Sequence, residues 1–365
     1  MVLPLEGLTV VAIEQAVAAP FCTARLADAG AHVIKIERPE GDFARGYDDV
    51  AAGQSSYFVW LNRGKESLTL NLASPKGKAR LKELLGGADV VVQNLKRGAL
   101  ARLGFDPDDL VRDNPRLIVC SISGYGEGGP LADRKAYDLL IQAESGLCSI
   151  TGTAEGPSRV GLSIVDIATG ATAHAAILEA LIRRSVTGTG ANISVSMFDV
   201  IAEWLTVPLL NHEGGNPPRR IGLAHPSISP YGVFETRDGQ PILISIQSDR
   251  EWRKLAEVFI GDVGLGTDPR FATNVARVEN RSETDAIVAE AFARRDCEDA
   301  IEALLQADVA LARVNDMAGL SSHPHLRRIT VDSPNGPVSF PAPSPIFADE
   351  ARDYGAVPGL GPEEN

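Results

Sequence analysis

The segment Val160–Gly170 sets one carboxylate, Asp166, at the head of a run of small and apolar residues. From Ala168 to Leu181 the apolar positions recur at helical spacing, which predicts a helix with Asp166 in its first turn. A charge placed there is costly unless it is paired or used. One reading is an acid that balances the helix dipole. The other is a nucleophile. A carboxylate beside helix-start N–H groups can attack an acyl carbon without a general base, because it is ionised at neutral pH.

Other residues add binding chemistry. Arg38, Lys65, Lys96, Arg97, Arg102, Arg134 and Lys135 follow or flank apolar runs. Singly, such cations are solvated surface groups. Together, in an acidic chain, they suit phosphate. Lys135-Ala-Tyr-Asp138 puts a cation, a hydroxyl and a second carboxylate within four residues. Gly124-Tyr-Gly-Glu-Gly-Gly129 matches a dinucleotide-binding pattern, but Pro130 follows and no amphipathic helix opens after it. A glycine-rich loop near a substrate fits better. Cys22, Cys120, Cys148 and Cys297 form no CxxC and read as free thiols. The histidines make no HxxxH or HExxH pair, so no metal site is expected.

Strands and helices in alternation must position these groups. Apolar strands are predicted at about 8–13, 32–37, 68–72, 88–93 and 116–122. Helices fall at about 20–29, 74–85 and 107–112. The pattern is α/β, with a doubly wound, Rossmann-like parallel sheet. Ligands bind such sheets beyond the carboxyl ends of the strands. A single helical stretch is expected over 197–210. The large domain is assigned to 1–205, a linker to 206–230 around Gly214-Gly-Asn-Pro-Pro218, and a small α+β domain to 231–315. In the small domain, Arg237-Asp-Gly239 joins a hairpin, helices follow at about 249–260, 280–295 and 297–306, and a last strand lies at 309–314. A return linker at 316–329 then leads the tail, 330–365, back to the large domain.

The chain has 365 residues and a formal net charge of −13. That argues against nucleic acid and anionic membranes as partners. No uninterrupted apolar run of ~18 residues is present, so no membrane span is expected. Met1–Gly7 lacks a basic region and a long apolar run, so no secretory leader is expected. A reducing, cytoplasmic setting follows from the cysteine usage.

Several segments, taken in order, resemble the class III CoA-transferases, the group that includes formyl-CoA and L-carnitine CoA-transferases. They are Pro4–Val11, Ala31–Asp42, Leu61–Leu68, Asn94–Gly104, Gly124–Pro130, Lys135–Asp138 and Val165–Gly170, with looser matches at Asp249–Trp252, Asp268–Phe271 and His323–Leu326. The resemblance implies that Asp166 is the nucleophile, passing through a mixed anhydride and an aspartyl-CoA thioester. It implies a CoA pocket of Arg38, Lys65, Asn94, Leu95, Arg102, Leu103 and Lys135, with Ala16 and Val17 near the pantetheine. Tyr137 and Asp138 would stand beside the nucleophile. CoA and acyl-CoA would be substrates rather than bound cofactors, small carboxylic acids the acceptors, and the assembly an interlocked homodimer. Helix-start amides around Asp166 would stabilise the oxyanions.

Two departures stand out. Where some members carry a mobile run of glycines, this chain has Ala224-His-Pro-Ser-Ile-Ser-Pro-Tyr231. A glycine lid is therefore not expected, and His225 either faces the acceptor or is structural. The family tail also reads as short after Leu360. Arg45, Arg219 and His225 are candidates for an acceptor's second carboxylate. The nearest alternative is an alpha-methylacyl-CoA-type racemase, which resembles this chain but carries a histidine base immediately before the acid matching Asp138. Here that position is Tyr137, a poor base at neutral pH. A nicotinamide oxidoreductase and a non-catalytic CoA-binding protein are more distant alternatives. An intact Asp166 argues against the latter.

Overall fold

The computed structural model describes residues 3–348 and 352–363. In chain order it begins β1 (Thr9–Ile13), α1 (Ala18–Asp28), β2 (His32–Glu37), α2 (Ser56–Asn62), β3 (Lys65–Thr69), α3 (Pro75–Gly86) and β4 (Val90–Gln93). There follow α4 (Ala99–Arg102), α5 (Pro107–Asp113), β5 (Ile118–Ser123), α6 (Asp138–Glu144), α7 (Leu147–Ile150), and the two-residue strands β6 (Gly152–Thr153) and β7 (Gly156–Pro157). The long helix α8 (Ile164–Thr187) leads to β8 (Ala191–Ser196), α9 (Met197–Trp204) and α10 (Thr206–Glu213).

The chain divides into two compact units. The larger holds Met1–Cys148, Arg159–Gly215 and Arg327–Asn365. The smaller holds Ser149–Ser158 and Asn216–Leu326. The division falls at 215/216, so α10 belongs with the large unit rather than with a linker. The β6–β7 hairpin belongs with the small unit.

In the large unit six parallel strands run in the order β3-β2-β1-β4-β5-β8. Val11 of β1 sits between Ile34 of β2 and Val91 of β4. Side chains alternate across the sheet, and both faces are covered. Val10, Ala12, Val92 and Cys120 pack under α1 and α8. Val11, Ile13, Ile34 and Val119 pack under α3, through Leu81 and Leu85. The strand order reverses between β1 and β4, which opens a crevice at their carboxyl ends.

Three differences from the sequence reading have physical causes. Strand β3 starts at Lys65, because Lys65 and Ser67 are buried through polar partners that hide the strand in an apolar count. Edge strand β8 has exposed Asn192 and Ser194 alternating with partly buried positions, so its apolar signal is weak. The stretch expected as one helix over 197–210 is broken at Leu205, since Pro208 has no N–H to give the carbonyl of Trp204.

The small unit is built on the antiparallel sheet β11-β10-β9, with β9 Tyr231–Glu235, β10 Pro241–Ser245 and β11 Ala310–Arg313. Its core gathers Trp252, Phe259, Phe271 and Phe292. The tail returns to the large unit, where Thr69 N–H donates to Pro362 O at 3.2 Å and Gly64 N–H to Ala356 O at 2.9 Å.

Among the described helices, α8 alone is long and apolar enough, by length and composition, to cross a membrane. It is instead the central packing helix of the large unit, with Val165, Ala168, Gly170, Ala173 and Ile177 buried. It packs tightly against α1 at Gly170. A Cβ there would lie 2.4 Å from Ala18 O and 3.0 Å from Phe21 Cβ. Gly170→Ala gains about 1 kcal/mol of helix propensity but must push α1 away, an overpacking cost of about 1–3 kcal/mol. The expected outcome is a lower urea midpoint together with lost activity. A midpoint equal to that of the natural chain would show that α1 moves aside freely.

Candidate active site

The turn after β1, Glu14–Val17, and the turn after β4, Asn94–Arg97, meet at the crevice. Asn94 ties them together. Its Oδ1 accepts from Gln15 N at 3.0 Å and its Nδ2 donates to Gln15 O at 2.8 Å. Ala16 has φ +63°, a left-handed conformation that is strained for a residue with a Cβ. It is held there because Ala16 N donates to Asp42 Oδ1 at 3.2 Å.

Around these turns lies a cavity of about 670 Å³. Its lining includes eight of the site residues that the family resemblance implies, Ala16, Val17, Asn94, Leu95, Lys135, Tyr137, Asp138 and Asp166, together with the cations Lys96, Arg97 and Arg134. Gln15 and Leu95 also line a second cavity of about 340 Å³, where Arg38 lies with Gly41 and Leu72.

Asp166 sits in the first turn of α8, partly buried. Its carboxylate accepts no hydrogen bond from the described residues. Burial first, and then the charge of Asp138, push its pKa up to about 7. The sequence reading expects this carboxylate to be ionised at neutral pH; burial and the charge of Asp138 disfavour that form.

The start of α8 is satisfied in an unexpected way. Ser163 stands at the N-cap position, yet its hydroxyl makes no cap and meets Tyr57 Oη at 3.3 Å. Asp138 Oδ2 takes the cap instead, accepting from Val165 N at 2.8 Å and Asp166 N at 3.1 Å. Ile164 N donates to Leu162 O, and Ile167 N to Ser163 O. All four N–H groups are therefore occupied, and the helix start cannot supply oxyanion donors as the sequence reading expected. By contrast, the amides of Val17 and Ala18, both lining the cavity, find no acceptor among the described residues.

Lys65 also requires correction. Its side chain is fully buried and bonds to Glu14 at 2.7 Å, Asn62 at 3.0 Å and the Pro20 carbonyl at 3.1 Å. It lines neither cavity and is not free to meet a phosphate. Burial lowers its pKa to about 8, against the pull of Glu14. Arg102 and Leu103 line neither cavity. Arg102 donates to Arg97 O at 3.4 Å, and Leu103 packs on the α3-side core. Arg45 is committed to Glu37 at 2.7 Å and lies over Phe58. Arg219 and His225 belong to the small unit. His225 stacks on Tyr231, and its Nδ1 accepts from Ser227 N at 3.1 Å. Its segment is pinned by Arg281, which donates to His225 O and Ile228 O, and by Asn274. The glycine motif leads into bends and turns, with no helix N-terminus behind it for a pyrophosphate.

Sequence reasoning missed Tyr47, Tyr57, Ser163, Met197 and Arg159, which line the same cavity. Three of the chain's six tyrosines, Tyr47, Tyr57 and Tyr137, meet there, and composition alone carries no signal of that. Tyr47 packs edge-on to Tyr57 at 5.6 Å. Its pKa rises to about 12, through burial and then the charges of Asp42 and Asp166.

A Rossmann-like large unit with a carboxylate free of hydrogen bonds from the described residues at the switch-point crevice, and a smaller α+β unit, define the structural class. The profile of CoA-transferase family III matches residues 5–363, and the chain belongs to that family. It is 37% identical over 360 residues to acetyl-CoA:oxalate CoA-transferase of Acetobacter aceti, covering 98% of this chain and 92% of the relative. It is 35% identical over 361 residues to succinate–glutarate CoA-transferase of Agrobacterium fabrum, covering 95% and 90%. A crystal structure of a CAIB/BAIF family protein from Brucella suis superposes with a TM-score of 0.84 at 35% identity, covering 99% of this chain and 97% of that one.

Because the Asp166 pKa is raised in the fold, the folded state holds a proton that the unfolded chain loses near 3.8, the ordinary value for aspartate. That stabilisation is full below the unfolded pKa and is lost as pH rises through about 7. Two outcomes are expected. First, kcat/KM rises about tenfold per pH unit below the pKa and levels off above it. Second, at pH 8 Asp166→Asn resists urea better than the natural chain. A flat profile from pH 5.5 to 8 contradicts the assignment.

Proposed function

We propose that this class III CoA-transferase moves CoA from an acyl-CoA to a small carboxylic acid with Asp166 as covalent relay. The observation that carries the reading is the Asp166 carboxylate, free of hydrogen bonds, in the wall of the switch-point cavity. An Asp166 oxygen attacks the thioester carbon, the C–S bond breaks, and CoA thiolate leaves a mixed anhydride. The thiolate attacks Asp166 Cγ and releases the donor acid, which leaves an aspartyl-CoA thioester. The acceptor carboxylate attacks the same carbon, and the thiolate returns to the new acyl group. Each step exchanges oxygen and sulfur at an acyl carbon, so the scheme calls for no permanently bound cofactor. The free amides of Val17 and Ala18 are the donors best placed for the oxyanions.

CoA is assigned along the two adjoining cavities, with the thioester end toward Asp166 and Arg38 in the second. Lys135, in the first, adds a second phosphate-seeking cation. Two relatives are named for oxalate and for succinate with glutarate. A dicarboxylic acceptor, with succinyl-CoA as a donor, fits this cavity. Arg159 lines it and donates only through Nε, to Val160 O at 3.0 Å, which leaves its terminal nitrogens for a second carboxylate. The setting is cytoplasmic, consistent with four free cysteines.

The assembly is proposed as an interlocked homodimer. Ile182, Val186, Trp204, Val207 and Leu210 put exposed apolar side chains on α8, α9 and α10, which a second copy of the chain would cover. Light scattering should read twice the chain's 38.7 kDa. An active monomer at 38.7 kDa refutes this assembly.

Asp166→Asn tests the chemistry. The amide is nearly isosteric but cannot form the anhydride. Turnover should fall by about 10⁴-fold or more, with CoA binding retained. In the natural protein, acyl-CoA without acceptor should add mass to the Asp166 peptide, and hydroxylamine should trap it there. Substantial transfer by the Asn variant sinks the covalent scheme. Racemisation without CoA exchange would reassign the chain to the racemase alternative.

A further inference from the structure

We infer that Asp138 is a positioning residue, fixing the nucleophile by capping the helix that carries it and biasing the nucleophile's charge through its own. The inference rests on the assignment of Asp166 above.

The geometry is specific. Asp138 opens α6, and its Oδ2 bridges Val165 N and Asp166 N, the second and third amides of α8. These would otherwise be orphan donors at a buried helix end. The obvious cap, Ser163, has its hydroxyl on Tyr57 instead. Asp138 is itself held. Its Oδ1 accepts from Gln142 Nε2 at 2.5 Å. Gln142 is fully buried, and its Oε1 accepts from Val160 N at 2.9 Å. Its Nε2 also reaches Leu162 O at 3.4 Å. One rigid chain of bonds therefore runs from the 160–162 segment through Gln142 and Asp138 into the first turn of α8. Both Asp138 oxygens are committed within it, so Asp138 is not available to shuttle protons.

The same placement acts on charge. The titratable and charged groups that share the cavity with Asp166 are Tyr47, Tyr57 and Tyr137, the cations Lys96, Arg97, Arg134, Lys135 and Arg159, and the carboxylates Asp48, Asp133 and Asp138. The cations favour an ionised Asp166, and the carboxylates oppose it. After burial, Asp138 is the group that holds the proton on Asp166. It thus pins the nucleophile to the backbone while delaying its ionisation.

The experiment compares Asp138→Asn and Asp138→Ala with the natural dimer or monomer as purified. It reads kcat and donor KM, the pH dependence of kcat/KM, and hydroxylamine-trapped mass on the Asp166 peptide. Asp138→Asn keeps an oxygen for the two amides but loses the charge. Its pH profile should move to lower pH by about one unit, with the Asp166 adduct retained. Asp138→Ala loses the cap as well. Its kcat should fall about 100-fold, the scale of an ångström misplacement, with donor KM little changed, and Asn should restore part of the loss. An unshifted profile in Asp138→Asn, with Asp166 still labelled, overturns the inference alone. An unlabelled Asp166 in the natural protein overturns the nucleophile and this inference with it. Should the Ala variant fail to fold, the Asn profile still decides, since a purely structural cap would not move it.

Discussion

Four buried charges underlie the turn on which both cavities depend. Glu14, at the end of β1, meets Lys65 at 2.7 Å and Lys35 at 3.5 Å, and Lys35 meets Asp42 at 2.9 Å. All four residues are buried, and the quartet is formally neutral. Burial pulls Lys35 down, but Glu14 and Asp42 more than offset it and hold it charged. Burial lifts Glu14, and Lys65 and Lys35 more than offset that. Removing one member would strand a charge in the interior, at about 3–5 kcal/mol. What the quartet holds is geometric. Asp42 accepts from Ala16 N and Ala44 N, and so keeps Ala16 in a conformation it would not choose. Apolar residues of the same volume could fill the space, but they could not hold that turn.

The nucleophile stands on the opposite principle. The quartet satisfies every charge it buries, whereas Asp166 is left without a hydrogen-bond donor and close to a second carboxylate. A carboxylate accepting several N–H bonds would be more stable and a weaker nucleophile. Asp138 takes the two amides that would otherwise quiet Asp166. Stability is given up at one side chain, while the helix that carries it stays capped, a trade common at reactive sites. The Gly170 contact with Ala18 serves the same end, because it lets the starts of α1 and α8 come near one cavity.

Much of this was legible in the sequence. The apolar strands β1, β2, β4 and β5 announce a two-sided parallel sheet, and the order of motifs carries the family. Asp166 is visible as a lone acid opening an apolar helix. What stayed hidden is pairwise. Lys65 reads as a phosphate-binding cation until its three buried partners are seen, and no local pattern reveals Glu14, which lies 51 residues away. The occupied amides of α8 were hidden for the same reason, since their acceptor is 27 and 28 positions upstream. Tyr47 and Tyr57 join the site because helix α2 and the preceding loop fold over it, and nothing in their own segments marks them. Arg159 stands next to an apolar run with no neighbouring charge to flag it.

The charge of the whole molecule constrains how substrate arrives. At −13 the chain repels an anionic thioester at long range, and at physiological ionic strength that repulsion fades beyond roughly 8 Å. Recognition must therefore rest on short-range groups. Several cations near the crevice are already spent: Arg97 on Glu127 and Asp133, Arg134 on Glu144, and Lys65 in the quartet. Lys96, Lys135 and Arg159 line the first cavity without an acidic partner among the described residues, and Arg38, which donates to Gly41 O at 2.9 Å, has only the exposed Glu40 as an acidic neighbour, at 4.0 Å. The arrangement separates two tasks. Paired cations shape the walls, and the few with spare donors are left for phosphate and carboxylate. A chain with a uniformly basic face would bind many anions. An acidic chain with a few spare cations near its nucleophile selects those whose charges fall at matching distances.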